Sequence, residues 1–292
     1  MLTVIIPTFQ RKNVLEKCLW HLSKSNFTNP QINNFEVLVV EDGGRDSEDL
    51  VRNFKKSLKV RYFSQDKKGQ GAARNLAIEE ARGDVLVFIG DDIWVSENFL
   101  QEHLTFHSEN KELNQVCIGL TNFHPDLQNS FLRWLENYGF QFDFYRLIKK
   151  KKASFWHFYT SNISLKKDFL GSERFDESFS SYGFEDIELG FRLERQKKMQ
   201  IKFNSRARAF HWHLIKKEDF YHRMKSAGQA AWLFESKHPG VGAVPAGWKM
   251  KLQKLLIVQA NLFSCFREEW RFYAQGKRAF LEGIEEMRRV NS

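Results

Sequence analysis

The sequence predicts an α/β fold, a mostly parallel sheet flanked by helices, with a helical extension at its C-terminal end. Three observations predict it. Short β-branched runs alternate with segments of helical spacing through the first third of the chain, and such alternation implies right-handed crossovers between parallel strands. The runs are apolar almost throughout, as buried strands are. Acids stand directly after two of them, at the strand ends beyond which open parallel sheets bind ligands.

"LTVIIP" reads as a short buried strand. "NVLEKCLWHL" then places apolar residues at 14, 15, 18, 19 and 22, which is helical spacing. "FEVLVVED" is a second strand, ending in Asp42, and "KVRYFSQ" a weaker third. "GAARNLAIEEARG" carries apolar or small residues at 72, 73, 76, 77 and 81, with Gly83 as the helix stop. "DVLVFIG" closes the series, and Asp91 and Asp92 follow at its tip. Between residues 96 and 160 the pattern is less regular: "FLRWLENYGFQFDFYRLIKKKKASFWHFY" is aromatic-rich around four lysines, Lys149 to Lys152. "EDIELGFRLERQ" and "KEDFYHRMKSAGQAAWLFESKH" read as helices. Residues 238–247, with Pro239, Pro245 and several glycines, read as a linker, and the tail from Trp248 is helical in pattern.

The chain has 292 residues, enough for a large domain with a smaller companion. Its 42% hydrophobic and 28% charged residues exclude a disordered chain. The net charge of +9 permits nucleic acid, an anionic membrane surface or a phosphorylated substrate, and does not choose among them. Cys18, Cys117 and Cys265 lie far apart with no CxxC, which fits reduced thiols in the cytoplasm. The N-terminus lacks a basic region and its apolar run breaks at Pro7, so no secretory signal is expected. No apolar segment approaches the ~20 residues that span a bilayer. Any work at a membrane is therefore expected at its surface.

Four stretches, "TVIIPTFQRKNVLEKCL", "VVEDGGRD", "GAARNLAIEEARGDVLVFIGDD" and "FDESFSSYGFEDIELGFRL", together resemble the family 2 glycosyltransferases of the GT-A fold, in order from residue 3 to roughly residue 213. The resemblance implies a Rossmann-like sheet with a nucleotide-sugar-binding half at 1–95 and an acceptor-binding half at 96–240. The helical extension, 241–292, lies outside it. It also implies inverting transfer of a sugar from a nucleotide-diphosphate donor to a saccharide or lipid-linked acceptor hydroxyl, in polysaccharide or glycolipid synthesis. A divalent cation, Mn²⁺ or Mg²⁺, would hold the diphosphate. The chemistry asks for these parts independently. A diphosphate leaving group develops charge that a hard cation neutralises. A neutral hydroxyl needs a general base within hydrogen-bond reach.

Asp91 and Asp92 resemble the family's acidic DxD pattern, whose first acid is Gly90 here. Asp92 aligns with the last acid and takes the metal role; Asp91 is a second candidate, toward ribose or sugar. A solvated turn is the plain reading of the same residues. Asp42 resembles the acid that accepts from the nucleotide base, Pro7 and Thr8 the residues lining that pocket, and Arg74 a basic residue facing the nucleotide. Glu185 and Asp186 resemble the acidic pair that meets the acceptor, with Asp186 as base and Glu185 as its substitute if the register differs by one. Dipole complementarity in a first helical turn also accounts for acids there. Glu188 and Arg192 read as an i,i+4 surface pair. His211 stands where the family returns a histidine to the metal, with His213 two residues on, on the same face of a strand. Asn162 and Ser164, in "TSNISLKK", resemble residues crossing the donor-sugar pocket.

Two rival readings compete. A nucleotidyltransferase also uses acids and Mg²⁺ on an α/β sheet, but "PTFQRKN" offers only Arg11 and Lys12 to a triphosphate. A basic nucleic-acid-binding protein would use "FWHFY" beside the lysine run, though a buried aromatic strand beside a solvated loop explains that stretch. In the tail, apolar residues at 252, 255, 256, 262, 263 and 266 form a stripe flanked by Lys249, Lys251 and Lys254. Such a stripe packs on its own domain or a partner, or lies on anionic lipid.

Overall fold

The computed structural model describes residues 1–25, 34–138, 142–150, 153–179, 183–245 and 247–291. Lys151, Lys152 and residues 180–182, part of the lysine run and of the loop before the acidic pair, lie outside the described residues, as do 139–141 and 246.

The chain begins β1 (Leu2–Thr8), α1 (Lys12–Ser23), β2 (Phe35–Asp42), α2 (Glu48–Phe54), β3 (Val60–Gln65), α3 (Gln70–Glu80), β4 (Val85–Phe88). β1 pairs in parallel with β2 and β4, and β2 with β3. On one face Val4, Ile6, Val37 and Val39 meet Leu15, Leu19 and Val51 of α1 and α2. On the other Ile5, Leu38, Val40 and Leu86 meet Ala73, Ala77 and Ile78 of α3. Cover on both faces is the reason the strands read as continuous apolar runs.

The chain continues through β5 (Ile93–Val95), α4 (Phe99–Glu109), β6 (Gln115–Phe123), α5 (Ser130–Asn137), α6 (Phe144–Lys150), β7 (Ile163–Lys166), α7 (Lys167–Leu170), α8 (Glu185–Lys197) and β8 (Gln200–His211). The sheet order is β3-β2-β1-β4-β7-β6-β8-β5. β7 runs antiparallel to β4 and β6, β8 runs parallel to β6, and β5 closes the edge antiparallel to β8. The pairing of β6 with β8 slips between Gly119 and Leu120. Asn162 fills the slip: its Nδ2 donates to the carbonyls of Leu120 (3.3 Å) and Ala207 (2.9 Å).

The chain divides into two compact units, residues 1–180 with 185–213, and 181–184 with 214–292. The second is built from α9 (Lys217–Lys237), α10 (Trp248–Phe263) and α11 (Glu268–Val290). α9 and α11 approach backbone to backbone: a Cβ on Gly228 would meet the Phe280 carbonyl oxygen at 2.0 Å, and one on Gly283 the Lys225 carbonyl oxygen at 2.1 Å. The stretch after α9, expected as a linker, lies inside this unit. There the Glu235 carboxylate accepts from the N–H groups of Gly240, Gly242, Ala243 and Val244 at 2.7–3.2 Å. Among the described residues no helix is long and apolar enough to cross a membrane. Cys18 and Cys117 are buried, Cys265 is exposed, and all three are free thiols.

Candidate active site

The carboxyl ends of β1, β2 and β4 meet at one rim. β1 delivers Thr8 there, and Gln10, in the left-handed region at φ 51°, turns the chain so that Arg11 heads α1. After β4 a tight turn, closed by Ile93 N–H donating to Gly90 O (3.3 Å), presents Asp91 and Asp92, both buried. Thr8 Oγ1 donates to Asp91 Oδ2 (2.7 Å). Arg11 spans the pair, Nη1 donating to Asp91 Oδ1 (2.8 Å) and Nη2 to Asp92 Oδ2 (2.9 Å). A Cβ on Gly90 would lie 2.9 Å from Asp92 Oδ1, so any side chain at 90 would require the Asp92 carboxylate to shift.

β8 returns to this rim because β5 aligns on it, with Ile93 opposite His211 and Trp212 N–H donating to Asp92 O (2.8 Å). Extended backbone turns His211 and His213 to one side. Their rings stack 5.5 Å apart, with His211 Nε2 3.2 Å and His213 Nδ1 3.4 Å from Asp92 Oδ2. Arg11 Nη2 also lies 3.3 Å from His213 Nδ1. Burial opposes the charge on Asp92, but His211, His213 and Arg11 outweigh it and hold that carboxyl well below the usual carboxylate range. Asp91 goes the other way, raised by burial and by the Asp92 charge.

Asp92, His211 and His213 each offer one ligand atom, and these atoms lie within 4.8 Å of one another. One carboxylate and two imidazoles make a mixed oxygen–nitrogen set. It suits a divalent transition ion such as Mn²⁺ better than Mg²⁺, which prefers oxygen. His211 Nδ1 is buried with no hydrogen-bond partner in the protein.

A second cluster forms where α8 begins. Gly183 and Phe184 both sit at positive φ, 92° and 70°, which sets the chain's entry into the helix. Asp186 accepts from Ile187 N–H at Oδ1 (2.8 Å) and from Thr160 N–H at Oδ2 (3.3 Å). Glu185 is buried against Arg74, Nη1 to Oε1 3.0 Å, and Arg74 Nη2 donates to Gln70 Oε1 (3.2 Å). Glu185 Oε2 and Arg74 Nε are buried without hydrogen-bond partners. Burial and then the adjacent Glu185 charge push the Asp186 carboxyl up to about 7, against the lowering by Arg74 and the two N–H groups. The two clusters are bridged by rings: Tyr159, next to Thr160, meets Phe142 at a tilt (centroids 5.3 Å apart), and Phe142 meets His211 edge-on (6.0 Å). Glu188 and Arg192 form the i,i+4 pair, Nε to Oε1 2.8 Å, but not on the surface as expected, because Glu188 is buried.

The remaining sequence candidates separate. Asp42, at the carboxyl end of β2, accepts from Gln65 Nε2, Lys68 N–H and Gly69 N–H, each at 2.8 Å, and so ties down the loop ahead of α3. Gly43 and Gly44 beyond it hold φ of 102° and 94°, a turn only glycine takes without strain. Pro7 is buried within β1 opposite Val40. Asn162 and Ser164 are fully buried inside the sheet unit. Asn162 Oδ1 lies 3.0 Å from His103 Nε2, and Ser164 Oγ lies 2.8 Å from both His103 Nδ1 and His107 Nε2. Their side-chain bonds serve α4 and the β6–β8 slip. Arg74 likewise faces Glu185. Sequence reasoning passed over Arg11 as a partner of the acids. Its only local signal was a cation three residues after the end of β1.

The chain belongs to glycosyl transferase family 2, whose family model matches residues 3–170. It is 30% identical over 222 residues to validoxylamine A glucosyltransferase of Streptomyces hygroscopicus subsp. limoneus, covering 66% of this chain and 48% of that protein. To chondroitin synthase of Pasteurella multocida strain Pm70 it is 26% identical over 227 residues, covering 66% of this chain and 23% of the relative. It thus spans about half the length of the first relative and less of the second. Among solved structures, the mannosyltransferase PcManGT from Pyrobaculum calidifontis, in complex with GDP-Man and Mn²⁺, gives a TM-score of 0.68 at 12% identity, covering 100% of this chain and 88% of that one. Staphylococcus aureus TarS 1–349 in complex with UDP gives 0.56 at 17%, covering 100% and 92%. These likenesses carry the fold, which is of the GT-A type.

Proposed function

We propose that the chain is an inverting, metal-dependent glycosyltransferase that moves a sugar from a nucleoside-diphosphate donor to an acceptor hydroxyl, in the synthesis of a polysaccharide or glycolipid. The observation that carries the reading is the convergence of Asp92, His211 and His213 on one point, 4.8 Å or less apart, at the ligand-binding rim of the sheet. These three would hold Mn²⁺, which supplies charge neutralisation for the departing diphosphate. The Mn²⁺ and GDP-Man of the mannosyltransferase with the same fold favour that assignment.

Asp186 takes the proton of the attacking hydroxyl. Its raised pKa makes it a competent base near neutrality, since a base works best with a pKa close to the operating pH. Glu185, held by Arg74, keeps that pKa up and is a positioning residue. Thr8 and Arg11 orient Asp91, which faces the donor. Asp42 Oδ2 accepts one N–H from the loop and retains a lone pair for a donor N–H of the nucleotide base. Three free thiols suit a reducing cytoplasm, where this reading sets the enzyme.

The test is Asp186→Asn. Turnover of the sugar nucleotide should fall by about 10²–10⁴-fold, the usual contribution of a general base. Nucleotide affinity by calorimetry should remain that of the parent. Parent-like kcat in this variant would remove Asp186 from the mechanism.

A further inference from the structure

The α10 helix has two apolar faces, and the protein covers one of them. Ile257 and Ala260 are buried, with Met250 partly so, in a cluster with Ala274, Leu281 and Ile284 of α11. On the opposite side of the helix, at spacings of three, four and seven, stand Trp248, Leu252, Leu255 and Leu262, all exposed. Leu256, Val258, Phe263 and Phe266 extend the same surface. Trp248 and Leu262 are each 69% exposed and Phe266 79%. The stripe read from the sequence at 252, 255, 256, 262, 263 and 266 is thus the uncovered one. Apolar surface in this quantity on one helix face marks an interaction site.

The charges around it favour one occupant. Residues 248–267 carry Lys249, Lys251, Lys254 and Arg267 and no acid. Lys249, Lys251 and Lys254 are exposed, and Lys254 also reaches Glu285 of α11 (2.9 Å). A second copy docked on this face would offer these lysines no opposite charge from the same stretch, because residues 248–267 carry no acid. An anionic bilayer meets both features at once: the acyl boundary takes the leucines, and the headgroups take the lysines, whose stems snorkel to the interface. Trp248, exposed at the start of the helix, adds an amphipathic ring of the kind that favours the membrane–water interface. The helix is 16 residues long, too short to span a bilayer, so it would lie in the plane.

We infer that α10 is a membrane-docking helix that seats the chain on anionic lipid through its uncovered face. This stands apart from the sugar-transfer reading, because docking needs no donor, metal or acceptor.

The experiment is co-sedimentation of the full chain with phosphatidylcholine vesicles, with and without phosphatidylglycerol, at low and high salt. The parent should partition to the anionic vesicles and be released as salt rises, since charges at the surface are screened. Leu255→Glu with Leu262→Glu should weaken partitioning at least about tenfold by removing the inserted apolar groups. Lys249→Gln with Lys251→Gln should weaken it about tenfold and flatten the salt response. Both pairs are exposed, so unchanged thermal unfolding identifies a folded protein. Absence of the parent from the vesicle pellet overturns the inference, as does partitioning of the leucine variant equal to the parent's. Sedimentation velocity that finds a parent dimer dissolved by the leucine substitutions, with no vesicle binding, overturns it in favour of a second copy.

Discussion

At the residue scale, the arrangement around Arg11 has a direct consequence. Its guanidinium bonds both acids and lies beside His213, so it occupies the neighbourhood a cation would take. A bound ion must share or displace that charge. Arg11→Met should therefore tighten Mn²⁺ binding about tenfold, a discounted value for a charge-assisted bond that is partly exposed. Paramagnetic titration of free Mn²⁺ without nucleotide reads it; equal or weaker affinity would show that Arg11 does not compete. Asp186 makes a second prediction. Its base form is the active one, and its pKa is raised to about 7. On the proposed mechanism kcat/KM should climb with pH up to about 7 and then level. Glu185→Gln removes the neighbouring charge and should move that limb toward lower pH. A limb unchanged in Glu185→Gln would mean that the titrating group is not Asp186.

At the element scale, the β6–β8 slip depends on one side chain. The carbonyls of Leu120 and Ala207 lie where ladder pairing breaks, and Asn162 supplies their donor. Asn162→Ala should cost about 1–3 kcal/mol, the penalty for buried acceptors left unmade, measured by urea unfolding. Nucleotide affinity should stay unchanged; a selective loss of donor binding would return Asn162 to the pocket. The sequence resemblance put Asn162 at the sugar because it lies on the correct strand segment. Its side chain is held between His103 of α4 and the carbonyls of Leu120 and Ala207, while Ser164 meets His103 and His107. β8 was equally obscure from sequence. "QIKFNSRARAFH" mixes charges with apolar residues because part of the strand is exposed, so no clean alternation survives.

At the scale of the whole molecule, donor and metal should report together on stability. A ligand that binds only the folded chain stabilises it by about 2.7 kcal/mol at a hundredfold excess over Kd. A panel of UDP-, GDP- and dTDP-sugars should raise the melting temperature for one nucleotide class, and more so with Mn²⁺. A panel without any shift would end the nucleotide-sugar reading. The joining of the tail's helices to α9 also belongs to this scale. The stretch after α9 looks like a linker in sequence because glycines and prolines crowd residues 238–247. Those same glycines turn N–H groups onto Glu235, a partner that local pattern does not reveal.

The sequence by itself determined the first half of the sheet. Continuous apolar runs between helical periods leave β1 to β4 few alternatives, and acids after the runs mark the rim. It also determined the family, through motifs whose order is fixed along the chain. Only the tertiary structure decided which distant groups share a charge. Asp92 meets His211 and His213 because an edge strand pairs antiparallel with a strand that begins more than a hundred residues later, and Arg11 closes over both acids from a third segment. The same holds for the tail: periodicity defines an apolar stripe, but coverage depends on where neighbouring helices lie. Local pattern encodes which surfaces are apolar or charged, whereas pairing across the fold selects which of them are satisfied within the protein and which remain for a ligand.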